Sequence, residues 1–195
     1  MKKYAYTTSY TIGQLPNHQQ HKNSLLEQIN NASCDSLIQT SDYYGDSINR
    51  VDWNNCTDMT RPWVKDIQSS LFTYLDEWAK GYHCKGWNVN QIWFQQYHNT
   101  GRHGWHIHGH NYTGVYYLDL PEGTPNTQIA NEDGTVITVD VKEGDVLIFP
   151  SYVIHRAPVN ESDRVKTIIS WNMDIMTPDK DYLERELDLL RKQIP

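Results

Sequence analysis

The 195-residue sequence has 38% hydrophobic and 21% charged residues with a formal net charge of −7, the balance of a soluble chain large enough for one well-filled core. It holds no run of about 18 apolar residues and no basic cluster, and its N-terminus lacks a signal-like apolar stretch, so neither a membrane nor a nucleic acid is an expected partner. Cys34, Cys56 and Cys84 are odd in number and form no C-x-x-C pair, which argues against a disulfide framework or zinc ribbon and for a reducing, cytoplasmic compartment.

In chain order, residues 4–12 are rich in strand formers and end at Gly13. Residues 23–31 predict a short helix around Leu25, Leu26 and Ile29. Residues 32–55 show no sustained period and read as loops with a turn at Tyr43-Tyr44-Gly45. A stronger helix follows, with Thr60 as N-cap, Pro62 in the first turn and Gly81 as the stop. Its stripe of Val64, Ile67, Leu71, Leu75 and Trp78 recurs at three- and four-residue spacing, the pattern of a helix packed on a core.

Beyond Gly86 the pattern is that of short strands. Residues 87–97 alternate, with Val89, Gln91, Trp93, Gln95 and Tyr97 on one face and Ile92 and Phe94 on the other. Further strands are predicted at 105–110, 113–120, 128–130, 136–141, 146–149, 153–155 and 164–173, separated by turns such as Thr100-Gly101 and Asp133-Gly134. Thr177-Pro178 then caps a terminal helix through Leu183, Leu187 and Leu190. Many short strands at this spacing predict a mainly β sandwich or barrel. The chain reads as a single domain over 1–195: an N-terminal part (1–86) packing on a β core (87–175), with a C-terminal helix (176–195).

The chemistry-bearing residues concentrate in that core. Five of the nine histidines lie between His98 and His110. On an extended strand His106 and His108 share one face, with Trp105 and Ile107 on the other. Two imidazoles on a rigid strand form half of a metal site. His155, 47 residues after His108, is the leading candidate for a third ligand. Open coordination positions opposite three such ligands suit oxygen and a chelating co-substrate. Arg164 and Lys166 share a face of the last predicted strand, and one of them could reach inward, a costly position for a cation without an anion to meet it. His98, His103 and His110 read as surface residues or as partners orienting a ligand.

These residues carry a resemblance. The run Trp105-His106-Ile107-His108, then Thr113-Gly114-Val115-Tyr116-Tyr117-Leu118, Gly144-Asp145-Val146-Leu147-Ile148-Phe149-Pro150-Ser151, His155 and Lys166-Thr167-Ile168-Ile169-Ser170-Trp171-Asn172 resembles the iron(II)- and 2-oxoglutarate-dependent oxygenases. It is closest to the prolyl-hydroxylase-related branch with a His-x-His motif. The resemblance implies a double-stranded β-helix, or jelly roll, holding Fe(II) through His106, His108 and His155. His108 stands where the wider superfamily usually has Asp. It further implies 2-oxoglutarate as co-substrate, anchored by Lys166 or, second, Arg164, with Tyr97 and Tyr117 donating hydrogen bonds and Asn172 near the pocket. The implied activity is O2-dependent hydroxylation coupled to conversion of 2-oxoglutarate to succinate, on a substrate such as a peptidyl proline. Two readings compete with it: a cupin-type three-histidine dioxygenase that does not use 2-oxoglutarate, and a non-catalytic β-sandwich binding protein.

Overall fold

The computed structural model describes residues 8–38 and 45–193. Residues 4–7 of the strand expected at 4–12, the turn residues Tyr43 and Tyr44 and the side chain of Leu190 lie outside the described parts, and the described strand starts only at Thr11. Among the described residues eleven strands form two antiparallel sheets. The large sheet runs β1 (Thr11–Gln14), β9 (Asp145–Pro150), β6 (Tyr112–Asp119), β11 (Lys166–Pro178), β4 (Cys84–Tyr97), β3 (Ser47–Val51) and β2 (Asp35–Ile38). The small sheet runs β5 (His103–His106), β10 (His155–Ala157), β7 (Gln128–Ala130) and β8 (Val136–Thr138). The expected double-stranded β-helix is therefore present.

The four central strands of the large sheet are covered on both faces. On the outer face α1 (His18–Asn31) and α2 (Pro62–Lys80) seat Leu25, Ile29, Val64, Ile67, Leu71 and Leu75 against Ile92, Phe94, Ile148, Ile169 and Trp171. On the inner face Trp93, Tyr97, Val115, Tyr117, Leu147, Phe149 and Ile168 meet Ile129 of the small sheet. A strand covered on both faces has no polar side to present, and every residue of β9 is buried. Close approach of β6 and β11 requires Gly114. It pairs with Trp171, and a Cβ at this position would overlap the indole ring.

The expected α2 stripe is buried throughout, but its cap differs. Arg61 is the N-cap residue, without a side-chain cap bond, while the Thr60 N–H and hydroxyl both bond Asp58 Oδ1 at 2.8 and 2.7 Å. Arg61 reaches the buried Asp52 carboxylate and donates to Ile92 O at 2.6 Å, while Asp52 Oδ1 accepts the Phe94 N–H at 2.8 Å. The start of α2 is thereby tied to β4.

Other expectations are corrected by position. The first helix begins five residues earlier, at His18. Val89 packs with Ile92 and Phe94 rather than with Trp93, because a bulge at Asn90 pairs Gln91 with Asn172 and Val89 with Met173. One extra residue reverses the facing of everything beyond it. The strand expected at 153–155 begins only at His155, and the last strand runs from Lys166 to Pro178 instead of 164–173. Among the described residues nothing covers the apolar stripe of the terminal helix α3 (Lys180–Gln193). Leu183 and Leu187 are 44% and 51% exposed, and the helix is tethered by Lys85 to Asp179 and Asp181 at 3.2 and 2.9 Å and by stacking of Tyr182 on His83. No helix among the described residues is long and apolar enough to cross a membrane.

Candidate metal centre

Strand register brings the histidines together. β5 and β10 are antiparallel neighbours, and His106 lies directly opposite His155, so 48 residues of intervening chain close onto a cross-strand pair whose side chains meet. β5 ends at His106. His108 therefore sits beyond the strand, not on it as expected, with its N–H fixed by Ser151 O at 2.9 Å. Alternation still carries it to the same side. Ligand atoms of His106, His108 and His155 all lie within 4.8 Å of one another, with His108 Nε2 and His155 Nε2 at 3.2 Å. Ile107 points away and is 58% exposed, and Trp105 carries the Arg156 guanidinium over its ring at 4.5 Å.

Two of the three rings are oriented by the backbone. His106 Nδ1 donates to Gly104 O at 2.7 Å and His155 Nδ1 to Val153 O at 2.9 Å. A proton at Nδ1 leaves a lone pair at Nε2. Trp93 stacks on His108, and Phe149 packs edge-on against His155. Burial is the main cause that holds all three imidazoles neutral. The His108 pKa falls to about 3, and those of His106 and His155 are also lowered, with neighbouring imidazoles adding to the effect at His108 and His155. Neutral imidazoles with converging lone pairs repel unless a cation sits among them, so the donor set fits a divalent transition metal.

The other sequence candidates separate clearly. His103 stacks on His106 at 3.7 Å between ring centroids, with Nε2 3.8 Å from Asp46 Oδ1, so it flanks the centre. His110 instead contacts Asp174 at 3.1 Å, and His98 is exposed. Neither belongs to the cluster. Lys166 is 1% exposed and pairs with Tyr97 across β4 and β11. Its Nζ donates to Pro125 O at 2.6 Å and lies 5.7 and 5.6 Å from the ring centroids of Tyr97 and Tyr117. Among the described residues no carboxylate pairs with it, and burial pushes its pKa down to about 7. Among the described residues the buried Tyr97 hydroxyl has no hydrogen-bond partner, whereas that of Tyr117 meets Thr127 Oγ1 at 2.6 Å. A buried cation without an anion beside an unsatisfied hydroxyl fits a carboxylate ligand.

Two candidates fall elsewhere. Arg164 is exposed and precedes β11, so it does not share the inward face with Lys166. Asn172 does not line the histidine cavity. Its amide joins Gln91 (2.8 Å) to Thr113 (3.1 Å), and Thr113 in turn contacts the Ser151 hydroxyl at 3.0 Å, in the residue whose carbonyl fixes His108. The cavity between the histidines is about 30 Å³ and is also lined by Trp93, Gln95, Tyr97, Thr127 and Ser170. Sequence reasoning placed Trp93, Gln95 and Tyr97 on one face but assigned no role to the first two. Thr127 and Asp46 carried no local signal.

The family model for phytanoyl-CoA dioxygenase (PhyH) matches residues 88–168, the stretch that contains all three histidines. No curated protein matches the chain. Among solved structures, a 2OG-Fe(II) oxygenase family oxidoreductase from Burkholderia pseudomallei is similar with a TM-score of 0.68 at 8% identity, covering 87% of this chain and 86% of that one. A Pseudomonas putida prolyl-4-hydroxylase gives 0.61 at 14% identity, covering 85% and 92%. A Trichoplax adhaerens prolyl hydroxylase, in complex with a hypoxia inducible factor peptide fragment, gives 0.58 at 16% identity, covering 93% and 87%. At these identities the structural likeness speaks for the shared fold.

Proposed function

We infer that this chain, which belongs to the iron(II)- and 2-oxoglutarate-dependent oxygenase superfamily, is a dioxygenase that holds iron through His106, His108 and His155 and anchors 2-oxoglutarate through Lys166. The observation that carries this reading is the convergence of three neutral imidazoles. The buried, anion-free cation of Lys166 in the same barrel favours use of 2-oxoglutarate over a three-histidine dioxygenase that does without it. When bound, iron(II), 2-oxoglutarate and O2 supply oxidative decarboxylation to succinate and hydroxylation of a substrate C–H bond.

The residues have separable tasks. The carbonyls of Gly104 and Val153 keep His106 and His155 in the ligating tautomer. His108 in place of an acid leaves the ligand set uncharged, so a bound divalent ion keeps its full charge for an anionic co-substrate. The Lys166 ammonium would pair with the far carboxylate, and the Tyr97 hydroxyl would donate to it. A dicarboxylate would have to replace Pro125 O as the partner of Lys166 Nζ. Tyr117 supports Lys166 through its ring.

The substrate reading is a peptidyl side chain such as proline, supported by similar structures that are prolyl hydroxylases by name. A single domain over residues 1–195 is supported by strands β1–β3 joining the same sheet as the core strands, and a cytoplasmic setting by three free cysteines. Anaerobic iron(II) titration, followed by succinate formation from 2-oxoglutarate with and without candidate peptides, tests the assignment. A chain that binds no iron refutes it.

A further inference from the structure

A second, larger cavity of about 380 Å³ opens beside the histidines. One wall comes from the N-terminal part of the chain, through Leu37, Ile48, Val51 and Trp53, and it meets Trp93 and Ile107 of the core. Trp53 packs edge-on against Trp93 at 4.6 Å between centroids, yet remains 42% exposed. Large apolar side chains held open to solvent around a concavity mark a binding surface. Its single acid is Asp46, which lines the cavity together with His103. Asp46 is 4% exposed. Its Oδ1 accepts the Gly104 N–H at 2.8 Å and lies 3.8 Å from His103 Nε2. Among the described residues no lysine or arginine pairs with it, and none lines the cavity.

We propose that this groove selects the primary substrate and takes an apolar, ring-sized group bearing an amine, with the apolar body between Trp53 and Ile107 and the ammonium directed at Asp46. This rests on the dioxygenase reading and narrows its substrate. A buried carboxylate with no lysine or arginine beside it among the described residues gains from a donor that arrives with the ligand and repels an anion, while Leu37, Ile48, Val51, Trp53 and Ile107 offer the ligand apolar surface. A prolyl ring within a peptide lacks an N–H of its own, so a peptide meets this requirement through a lysine or a free N-terminus next to the apolar side chain.

The test uses the full chain, titrated with benzylamine, benzyl alcohol and benzoate while the Trp53 indole N–H is followed by NMR. That signal reads this groove and not Lys166. A charge-assisted hydrogen bond gives benzylamine about a tenfold or greater advantage over benzyl alcohol at Trp53, with benzoate weakest. Asp46→Asn keeps an acceptor for Gly104 and removes the charge, so it should bring the amine and the alcohol within about twofold of each other. Equal or tighter benzoate binding at Trp53, or an amine preference that survives Asp46→Asn, overturns the proposal. Iron titration of the same samples is scored separately: loss of iron binding with the amine preference intact refutes the dioxygenase reading and leaves the groove assignment standing.

Discussion

Replacing Lys166 with methionine should stabilise the ligand-free protein at neutral pH while removing its affinity for 2-oxoglutarate. The ammonium is 1% exposed, and its pKa falls from 10.5 to about 7 through burial alone. A difference of about 3.5 units at 1.36 kcal/mol each sets an upper bound of about 5 kcal/mol on the penalty for burying the charge. The Pro125 O hydrogen bond and two ring contacts offset part of it, at about 1–3 kcal/mol together. Methionine fills similar space without charge, so a net gain of up to about 2–4 kcal/mol is expected at pH 6–7.

The pH dependence follows from the direction of the shift. Between about pH 7 and 10.5 the unfolded lysine holds a proton that the folded one has released. Wild-type stability therefore rises with pH through that window, and below it both states are protonated and the slope disappears. The advantage of Lys166→Met should be largest at pH 6–7 and shrink toward pH 10. Urea unfolding of both proteins at several pH values measures this difference, with the remaining titrating groups cancelling. A pH-independent difference, or a variant less stable than wild type at pH 6, would refute the argument.

Other outcomes can be checked alongside. His155→Ala should abolish iron binding and turnover while leaving the circular dichroism spectrum largely unchanged, and retained binding would show that the ligand assignment is wrong. Arg164→Ala, at an exposed position, should leave the KM for 2-oxoglutarate and the stability within about 0.5 kcal/mol of wild type, whereas Lys166→Ala should raise that KM strongly. Gly114→Ala places a methyl group into the Trp171 indole and should cost about 1–3 kcal/mol in chemical denaturation. Arg61→Met leaves the Asp52 carboxylate, 1% exposed, without its ion-pair partner, a loss of about 3–5 kcal/mol. A Tm shift of under a degree in either variant would contradict these packing assignments.

What local sequence determines here is what local physics controls. The three- and four-residue spacing of Val64, Ile67, Leu71, Leu75 and Trp78 is sufficient for α2 and its buried face, because helical periodicity is set within a few residues. Alternation likewise brings Trp93, Gln95 and Tyr97 to one side, and His106 and His108 to another, even where the strand itself stops at His106. Tertiary structure decided whatever depends on register or on distant chain. The opposition of His106 and His155 is a pairing choice between segments far apart in sequence. The bulge at Asn90, which turns Val89 outward, has no composition signal. Lys166 and Arg164 are indistinguishable by alternation, and only the start of β11 at Lys166 buries one and exposes the other. The repeat of α3 matches that of a packed helix, yet no element among the described residues covers Leu183 and Leu187. Asp46 and Trp53, in a stretch without any period, line a cavity beside the histidines only because β2 and β3 extend the edge of the sheet that holds Trp93 and Gln95.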